Sequence, residues 1–387
     1  MTEAVTGMPL RQRETIGWID WLRVMAIAMV VLSHCCDAFV GAFDSDKNQF
    51  LTGVFTGSLM RPCVPLFVMM TGVLLLPIKR ETTVGDFYRK RIGRIVIPLI
   101  FWSLVLPIAF WLYFTTAGAD SANTMLSPSD YDGATLGKRL YTWIFNFNFD
   151  TVPLWYLYML IGLYLIMPIL SAWLEKAQKR EVKLLLKVWI ASLFIPYIQM
   201  AAPFLGYEGN WDNFGILGVC DWNVYGTFYY VSGFFGYLLA AYYLSRWPVD
   251  WSWRKTLLLC VPSFLAGYAV TSLGYVWFQE LFPGDYAYLE IVWLFCGINV
   301  MLMTIPVFII VQKLSARSSK LLTWLASISF GVYLCHFIFV YVFYDLFNID
   351  GMPALGRIVL MAMCSIACSV VVSGVLSAFR LTRRVVA

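Results

Sequence analysis

The chain of 387 residues is 60% hydrophobic and only 13% charged, with a formal net charge of +5 and a mean hydropathy of +0.72. A soluble protein of this length would need far more polar surface, so the composition excludes a soluble enzyme and indicates an integral membrane protein. Only two histidines are present, and the nine cysteines show no paired metal spacing. We therefore expect neither a metal site nor a disulfide framework.

Apolar runs of about 20 residues recur along the chain, each bounded by charge or by Gly and Pro. They predict an all-α integral membrane protein with about ten transmembrane helices around a polar central cavity. The first run is too long for a signal-peptide core, so we expect it to be retained as a span. We expect a single membrane domain at 18–380 between polar segments at 1–17 and 381–387. The predicted spans are 18–40, 62–78, 95–115, 154–174, 184–204, 222–244, 256–277, 289–312, 321–344 and 354–379.

The positive charges are distributed unevenly between the two sets of loops. The N-terminal segment, the C-terminal tail and every second loop hold 22 of the 28 Lys and Arg residues. By the positive-inside rule this side faces the cytoplasm, so we expect both termini there. The other face carries Lys47, Arg61, Lys138, Arg139 and Arg357.

The first span, "WIDWLRVMAIAMVVLSHCCDAFV", contains a polar stripe. Arg23 and His34 are eleven residues apart, which on an α-helix is about 16 Å along the axis and only ~20° around it. Asp20 precedes Arg23 by three residues, and Asp37 follows His34 by three. A charge at membrane depth costs about 2.5 to 3.5 kcal/mol, so the stripe predicts a functional site. The alternatives are an interfacial Asp20–Arg23 ion pair and a histidine that only packs.

Five stretches, in this order along the chain, resemble the membrane-bound acyltransferase 3 family and its surface polysaccharide O-acetyltransferase branch. The first is the spacing of ten residues between Arg23 and His34. The second stretch, at 61–76, departs from the family at Thr71-Gly72, where the family usually has Ser-Gly. The other stretches are "RPCVPLFVMMTGVLLL" (61–76), "FYRKRIGRIVIP" (87–98), "LWYLYMLIGLYLIMPIL" (154–170) and "SISFGVYLCHFIF" (327–339).

The resemblance implies a membrane O-acyltransferase of the bacterial inner membrane. It would move an acyl group, in the first instance acetyl, from cytoplasmic acyl-CoA to a hydroxyl of an envelope polysaccharide or of its lipid-linked precursor. Arg23, Arg91 and Arg94 would bind the donor, and His34 with Asp37 would supply acid–base or acyl-relay chemistry. The expected partners are acyl-CoA, the glycan acceptor and membrane lipids, with no nucleic acid and no metal.

Other residues are candidates for the cavity or for acceptor binding. His336 has an alternative structural role as a hydrogen-bonding residue between helices. Trp155 and Tyr156 have an alternative role in an interfacial aromatic belt. The full set is His336, Tyr333, Ser329, Trp155, Tyr156, Glu290 and Asp221, of which Asp221 and Glu290 are also alternative carboxylate partners for His34.

A transporter is the competing function from a different class. Ten spans, polar stripes and helices interrupted by Gly or Pro are also typical of solute carriers. We favour the enzyme because the sequence shows no convincing internal repeat. The Arg23 and His34 pair beside a basic entrance also suits a donor site better than a midplane ion site.

Overall fold

The computed structural model of the protein describes residues 17–79, 81–123, 125–142, 148–207, 218, 225–314, 317–349 and 351–386. Within these ranges the chain forms helices and no β-strand, and nine helical segments are long and apolar enough to cross a membrane. The predicted all-α membrane class is confirmed. The helices are α1 (Gly17–Val40), α2 (Lys47–Met60), α3 (Cys63–Leu75), α4 (Val84–Phe114), α5 (Gly133–Tyr141), α6 (Trp155–Leu174), α7 (Lys179–Ser192), α8 (Ile195–Ala201), α9 (Phe235–Arg246), α10 (Trp253–Leu281), α11 (Tyr286–Trp293), α12 (Ile298–Leu314), α13 (Lys320–Leu346) and α14 (Ala354–Ala378).

The second crossing is longer than predicted, because α2 and α3 together span Lys47–Leu75. The carboxylate of Asp46 accepts hydrogen bonds from the backbone N–H groups of Asn48 and Gln49, and it starts a helix through the largely apolar stretch that follows. The predicted start at residue 62 is therefore wrong. Arg61 lies at the junction of α2 and α3, inside the crossing, and not on the outer face where the charge distribution put it.

The sixth predicted span, 222–244, is a continuous helix only in its second half. Residues 208–217 and 219–224 lie outside the described ranges, and residues 226–231 form a 3₁₀ turn before the twelve-residue α9. Gly226 and Gly233 have φ angles of 51° and 70°. Such left-handed backbone interrupts an α-helix, which is why the described part of this span is short.

Helices α1 and α13 run parallel through the centre of the molecule. Near their N-terminal ends, the Asp20 carboxylate accepts hydrogen bonds from the Ser318 and Thr323 hydroxyls at 2.7 and 2.9 Å. Deeper in both helices, the His34 and His336 ring centroids are 5.3 Å apart. Parallel spans need an odd number of crossings between them.

Six of the continuous segments lie between these two helices. If each of these segments crosses the membrane, the parallel course of α1 and α13 requires one more crossing, for which the region between α8 and α10 is the candidate. Ten crossings leave the start of α1 and the end of α14 on the same side of the membrane.

Helix α1 lies against α2, α3, α12, α13 and α14, and Leu22, Ala26 and Val31 on its inner side are fully buried. Helix α9 packs closely against α3. A Cβ atom on Gly72 would lie 2.7 Å from the carbonyl oxygen of Leu238 in α9, so only glycine fits there. Close packing by small residues is the usual way in which membrane helices associate.

Candidate functional site

His34 and Asp37 form a pair one helical turn apart on α1. The His34 Nδ1 atom is 2.9 Å from Asp37 Oδ2, and the two side chains are 22% and 30% exposed. A carboxylate can only accept, so Nδ1 carries the hydrogen and donates it. The Nε2 atom of His34 is then a free lone pair, which is the arrangement of a general base oriented by a carboxylate.

His336 on α13 completes a two-histidine centre with His34. Its side chain is fully buried, and its Nδ1 atom is 2.6 Å from the Tyr333 carbonyl oxygen. The Phe337 ring packs against both imidazoles, with centroid distances of 5.1 Å to His34 and 6.1 Å to His336. The structure thus brings together the only two histidines of the chain, although they come from opposite ends of the sequence.

Two tyrosines connect this centre with Arg23, which lies nearer the start of α1. The Tyr333 and Tyr156 rings are 5.6 Å apart, and the Tyr333 hydroxyl donates a hydrogen bond to the Pro153 carbonyl. The Tyr156 hydroxyl forms a hydrogen bond with the Thr71 side chain, and the charge of Arg23 acts on it electrostatically. Tyr156 is only 8% exposed, so it belongs to the protein interior and not to an interfacial belt.

Asp20 is not the ion-pair partner that the sequence offered as an alternative for Arg23. No Asp20–Arg23 ion pair shorter than 4 Å occurs in the described part of the chain, because the Asp20 carboxylate turns to the Ser318 and Thr323 hydroxyls. The carboxylate still acts on Arg23 electrostatically. Within the described ranges, the Arg23 guanidinium is therefore not bound by this carboxylate.

The two arginines of the basic segment lie near the start of α4, which begins at Val84 and so includes both of them. Arg91 is half-buried and Arg94 is exposed. Both interact electrostatically with the Tyr164 hydroxyl of α6. Their guanidinium groups thus share one neighbour across the helix interface, although neither contacts Arg23 in the described ranges.

Of the remaining candidates, the structure describes Trp155, Ser329 and Glu290. Trp155 stacks on Phe295 with a centroid distance of 5.7 Å, so this face of its ring is occupied by protein. The Ser329 hydroxyl donates to the Ala326 carbonyl of its own helix. Glu290 is exposed on α11, and Asp221 lies outside the described residues. Asp37 is therefore the carboxylate found beside His34.

Arg61 is a residue near the site that sequence reasoning misplaced. Its guanidinium donates to the Trp293 carbonyl, which is free because the helix breaks between α11 and α12. It also lies 3.9 Å from the Phe295 ring centroid, and the charges of Asp37 and Glu290 act on it. The Asp46 cap, which starts α2 early, was the signal that could have placed Arg61 inside the membrane.

A family model described as "Acyltransferase domain" (Acyl_transf_3) matches residues 16–376, which is nearly the whole chain. The chain belongs to the acyltransferase 3 family. No curated protein and no solved structure matches it. The matched range contains His34, Asp37 and His336, so the two-histidine centre of this acyltransferase lies within its family domain.

The acyltransferase also has a buried ion pair beside its bundle. Arg139 of α5 is 2.5 Å from Asp150, which is fully buried in the 3₁₀ helix before α6. The Arg139 guanidinium lies over the Tyr131 ring at 4.3 Å. Burial raises the pKa of Tyr131 well above its usual range, and the Asp150 charge adds to this effect. The contact fixes the segment 131–141 against the membrane helices.

Proposed function

We propose that the protein is an acyl-CoA dependent O-acyltransferase. It moves an acyl group, in the first instance acetyl, from cytoplasmic acyl-CoA to a hydroxyl of a cell-envelope polysaccharide or its lipid-linked precursor. The observation that supports this proposal is the His34–Asp37 pair, in which Nδ1 donates to the carboxylate and Nε2 keeps its lone pair, inside an acyltransferase family domain.

The proposed reaction follows from the tautomer of the His34 ring, which carries its hydrogen on Nδ1 and a lone pair on Nε2. Nε2 takes the proton from the acceptor hydroxyl while that oxygen attacks the thioester carbonyl carbon. The carbon–sulfur bond then breaks, and the proton on Nε2 passes to the departing thiolate. Asp37 holds Nδ1–H and stabilises the imidazolium between the two steps. The same lone pair can instead take up the acyl group as a relay, which single-turnover kinetics would detect as an acyl-enzyme.

The donor is proposed to enter from the end of the bundle that holds Arg23, Arg91 and Arg94. Guanidinium groups bind phosphates well, and coenzyme A carries its phosphates at the end opposite to the thioester. Helix α1 is unbroken from Gly17 to Val40, so Arg23 and His34 are about 16 Å apart along its axis. An extended pantetheine arm suits a separation of this size.

The proposed location is the bacterial inner membrane with both termini in the cytoplasm. The even number of crossings supports a common side for the termini, and the clustered Lys and Arg residues of that side support the cytoplasm. This orientation puts the three arginines on the side where acyl-CoA is available.

The proposal is tested with purified wild-type protein and the His34→Ala variant in nanodiscs. Both receive radiolabelled acetyl-CoA, and thiol release and label in lipid-linked or soluble glycans are followed. We expect turnover by the wild type, none by His34→Ala, and normal turnover by the neighbouring control Ser33→Ala. Equal turnover by His34→Ala in folded protein would contradict the assigned role of His34.

One observation keeps the transporter as a second candidate. The span Tyr286–Leu314 is interrupted between Trp293 and Ile298, and broken helices at membrane depth are typical of transporters. Solute uptake into proteoliposomes, together with no reaction of any acyl-CoA tested, would favour transport over acyl transfer.

A further inference from the structure

His336 has one ring nitrogen with no hydrogen-bond partner in the described part of the chain. Its Nδ1 atom is 2.6 Å from the Tyr333 carbonyl oxygen, and a carbonyl can only accept, so Nδ1 carries the hydrogen. In a neutral imidazole the Nε2 atom is then a bare lone pair. This Nε2 atom is buried and has no hydrogen-bond partner among the residues that the structure describes. Leaving such an atom unpaired is unfavourable, so a buried atom of this kind calls for an explanation.

The explanation lies in what faces the ring of His336. The His34 imidazole is 5.3 Å away between centroids, with the ring planes inclined at 38°. His34 also donates through Nδ1, in its case to Asp37. Each imidazole therefore has an accepting Nε2 atom and no free N–H. Neither ring can donate a hydrogen bond to the other, whereas one molecule with two neighbouring donor groups could supply both Nε2 atoms.

We propose that His336 binds the acceptor substrate, by accepting a hydrogen bond from a second hydroxyl next to the one that His34 deprotonates. The inference rests on the proposed function and specifies its acceptor. The acceptor is a compound with hydroxyls on neighbouring carbon atoms, as sugar rings have. An alcohol with a single hydroxyl leaves the His336 Nε2 atom unpaired and binds the transition state less well.

His336 does not itself carry the acyl group. Acylation at Nε2 leaves a neutral ring only if the Nδ1 proton departs, and the Tyr333 carbonyl that holds this proton cannot accept it. The product would be a cation in a fully buried position, which is strongly unfavourable. The geometry thus assigns binding to His336 and proton transfer to His34.

The first test measures the tautomer of His336 without any need for activity. Because the chain has two histidines, protein labelled with ¹⁵N-histidine in nanodiscs gives two imidazole spin systems. A His34→Gln variant identifies the signals of His336. We expect a protonated Nδ1 and an unprotonated Nε2 for His336. A ring protonated at Nε2 would overturn the proposal.

The second test compares acceptors in the acyl-transfer assay, with cyclohexane-1,2-diol and cyclohexanol as the probes. We expect wild-type protein to favour the diol in kcat/KM by about 10- to 100-fold. His336→Leu should lose this preference, His336→Gln should keep part of it through its carbonyl oxygen, and the control Ile338→Val should keep all of it. Equal use of both alcohols by wild-type protein would overturn the proposal.

The outcomes separate this inference from the proposed function. If wild-type protein transfers acyl groups without preferring the diol, the function stands and the role of His336 is wrong. If it transfers no acyl group to any acceptor, the function fails and the inference fails with it, whatever the tautomer of His336. A His336→Leu variant that unfolds at lower temperature and loses activity on both alcohols equally would mark His336 as a packing residue.

Discussion

At the scale of single residues, the site depends on donors and acceptors whose roles follow from their partners. Asp37 decides which nitrogen of His34 is free, because a carboxylate can only accept the Nδ1 hydrogen. The sequence offered this pair, since residues three apart on a helix share a face, but it kept Asp221 and Glu290 as alternative partners of His34. The meeting of His34 with His336 could not be read from the sequence, because nothing local relates α1 to α13.

Asp37→Asn should reduce kcat strongly and leave the KM for acyl-CoA nearly unchanged. The amide keeps the size of the carboxylate but neither stabilises the imidazolium nor enforces the tautomer, so we expect a loss of about 10²- to 10⁴-fold. Steady-state kinetics measure it, with Asp44→Asn in the exposed loop after α1 as the control. A variant with wild-type kcat would show that His34 works without its carboxylate.

Arg91→Ala should raise the KM for acyl-CoA by about 10-fold, with a smaller effect on kcat, because it removes a charged hydrogen-bond donor from the proposed phosphate site. Arg89→Ala is the matched control, since Arg89 lies on the same helix but is exposed and pairs with Asp86 at 2.7 Å. If both variants change the KM equally, the effect comes from general basic charge and not from a defined site.

At the scale of elements, the helices of the structure differ from the spans predicted by hydropathy at the places where helices break. Helix α9 starts late because two glycines before it adopt left-handed backbone. The α11–α12 span is interrupted, and the carbonyl that this break frees is bound by Arg61 from a different crossing. The hydropathy pattern predicted that these spans exist. It did not predict the breaks, because a buried arginine and a free carbonyl stabilise each other only across the folded bundle.

Arg61→Met should lower the free energy of unfolding by about 1.5 to 3 kcal/mol, because the Trp293 carbonyl loses a charged donor in a buried place. Thermal unfolding in detergent measures this change. Lys47→Met is the control from the same crossing. Lys47 pairs with Glu280 at 3.3 Å on the surface, and such exposed pairs contribute little. Equal stability of the two variants would mean that Arg61 does not support the break.

At the scale of the whole molecule, the parallel course of α1 and α13 determines the topology. If the nine continuous segments of the described ranges were the only crossings, α1 and α13 would be antiparallel. Asp20 contacts Thr323 near the start of both helices, and His34 contacts His336 deeper in both, so the helices are parallel and a tenth crossing is required. The sequence predicted ten crossings from apolar length alone. The structure supports that number for a different reason, namely the direction of two helices that build the site.

The tenth crossing places the starts of α7 and α10 on one side of the membrane. Single cysteines introduced as Lys183→Cys and Lys255→Cys, in a background without native cysteines, should both react with an impermeant maleimide only after the inner membrane is opened. Asp44→Cys should react in intact spheroplasts. Reaction of Lys255→Cys but not Lys183→Cys in intact spheroplasts would show that the region of α9 does not cross.

The sequence by itself determined the membrane class, the approximate spans and the polar stripe of α1, and it offered Asp37 as one of three carboxylates that could pair with His34. These features depend on apolar length and on helical spacing, which are local properties of the chain. Only the tertiary structure decided that His336 faces His34, that Tyr156 is an interior residue and that Arg61 donates to the carbonyl freed at the break between α11 and α12. Each of these contacts joins helices that are distant in sequence, and packing in the folded bundle selects such contacts among many that the sequence allows.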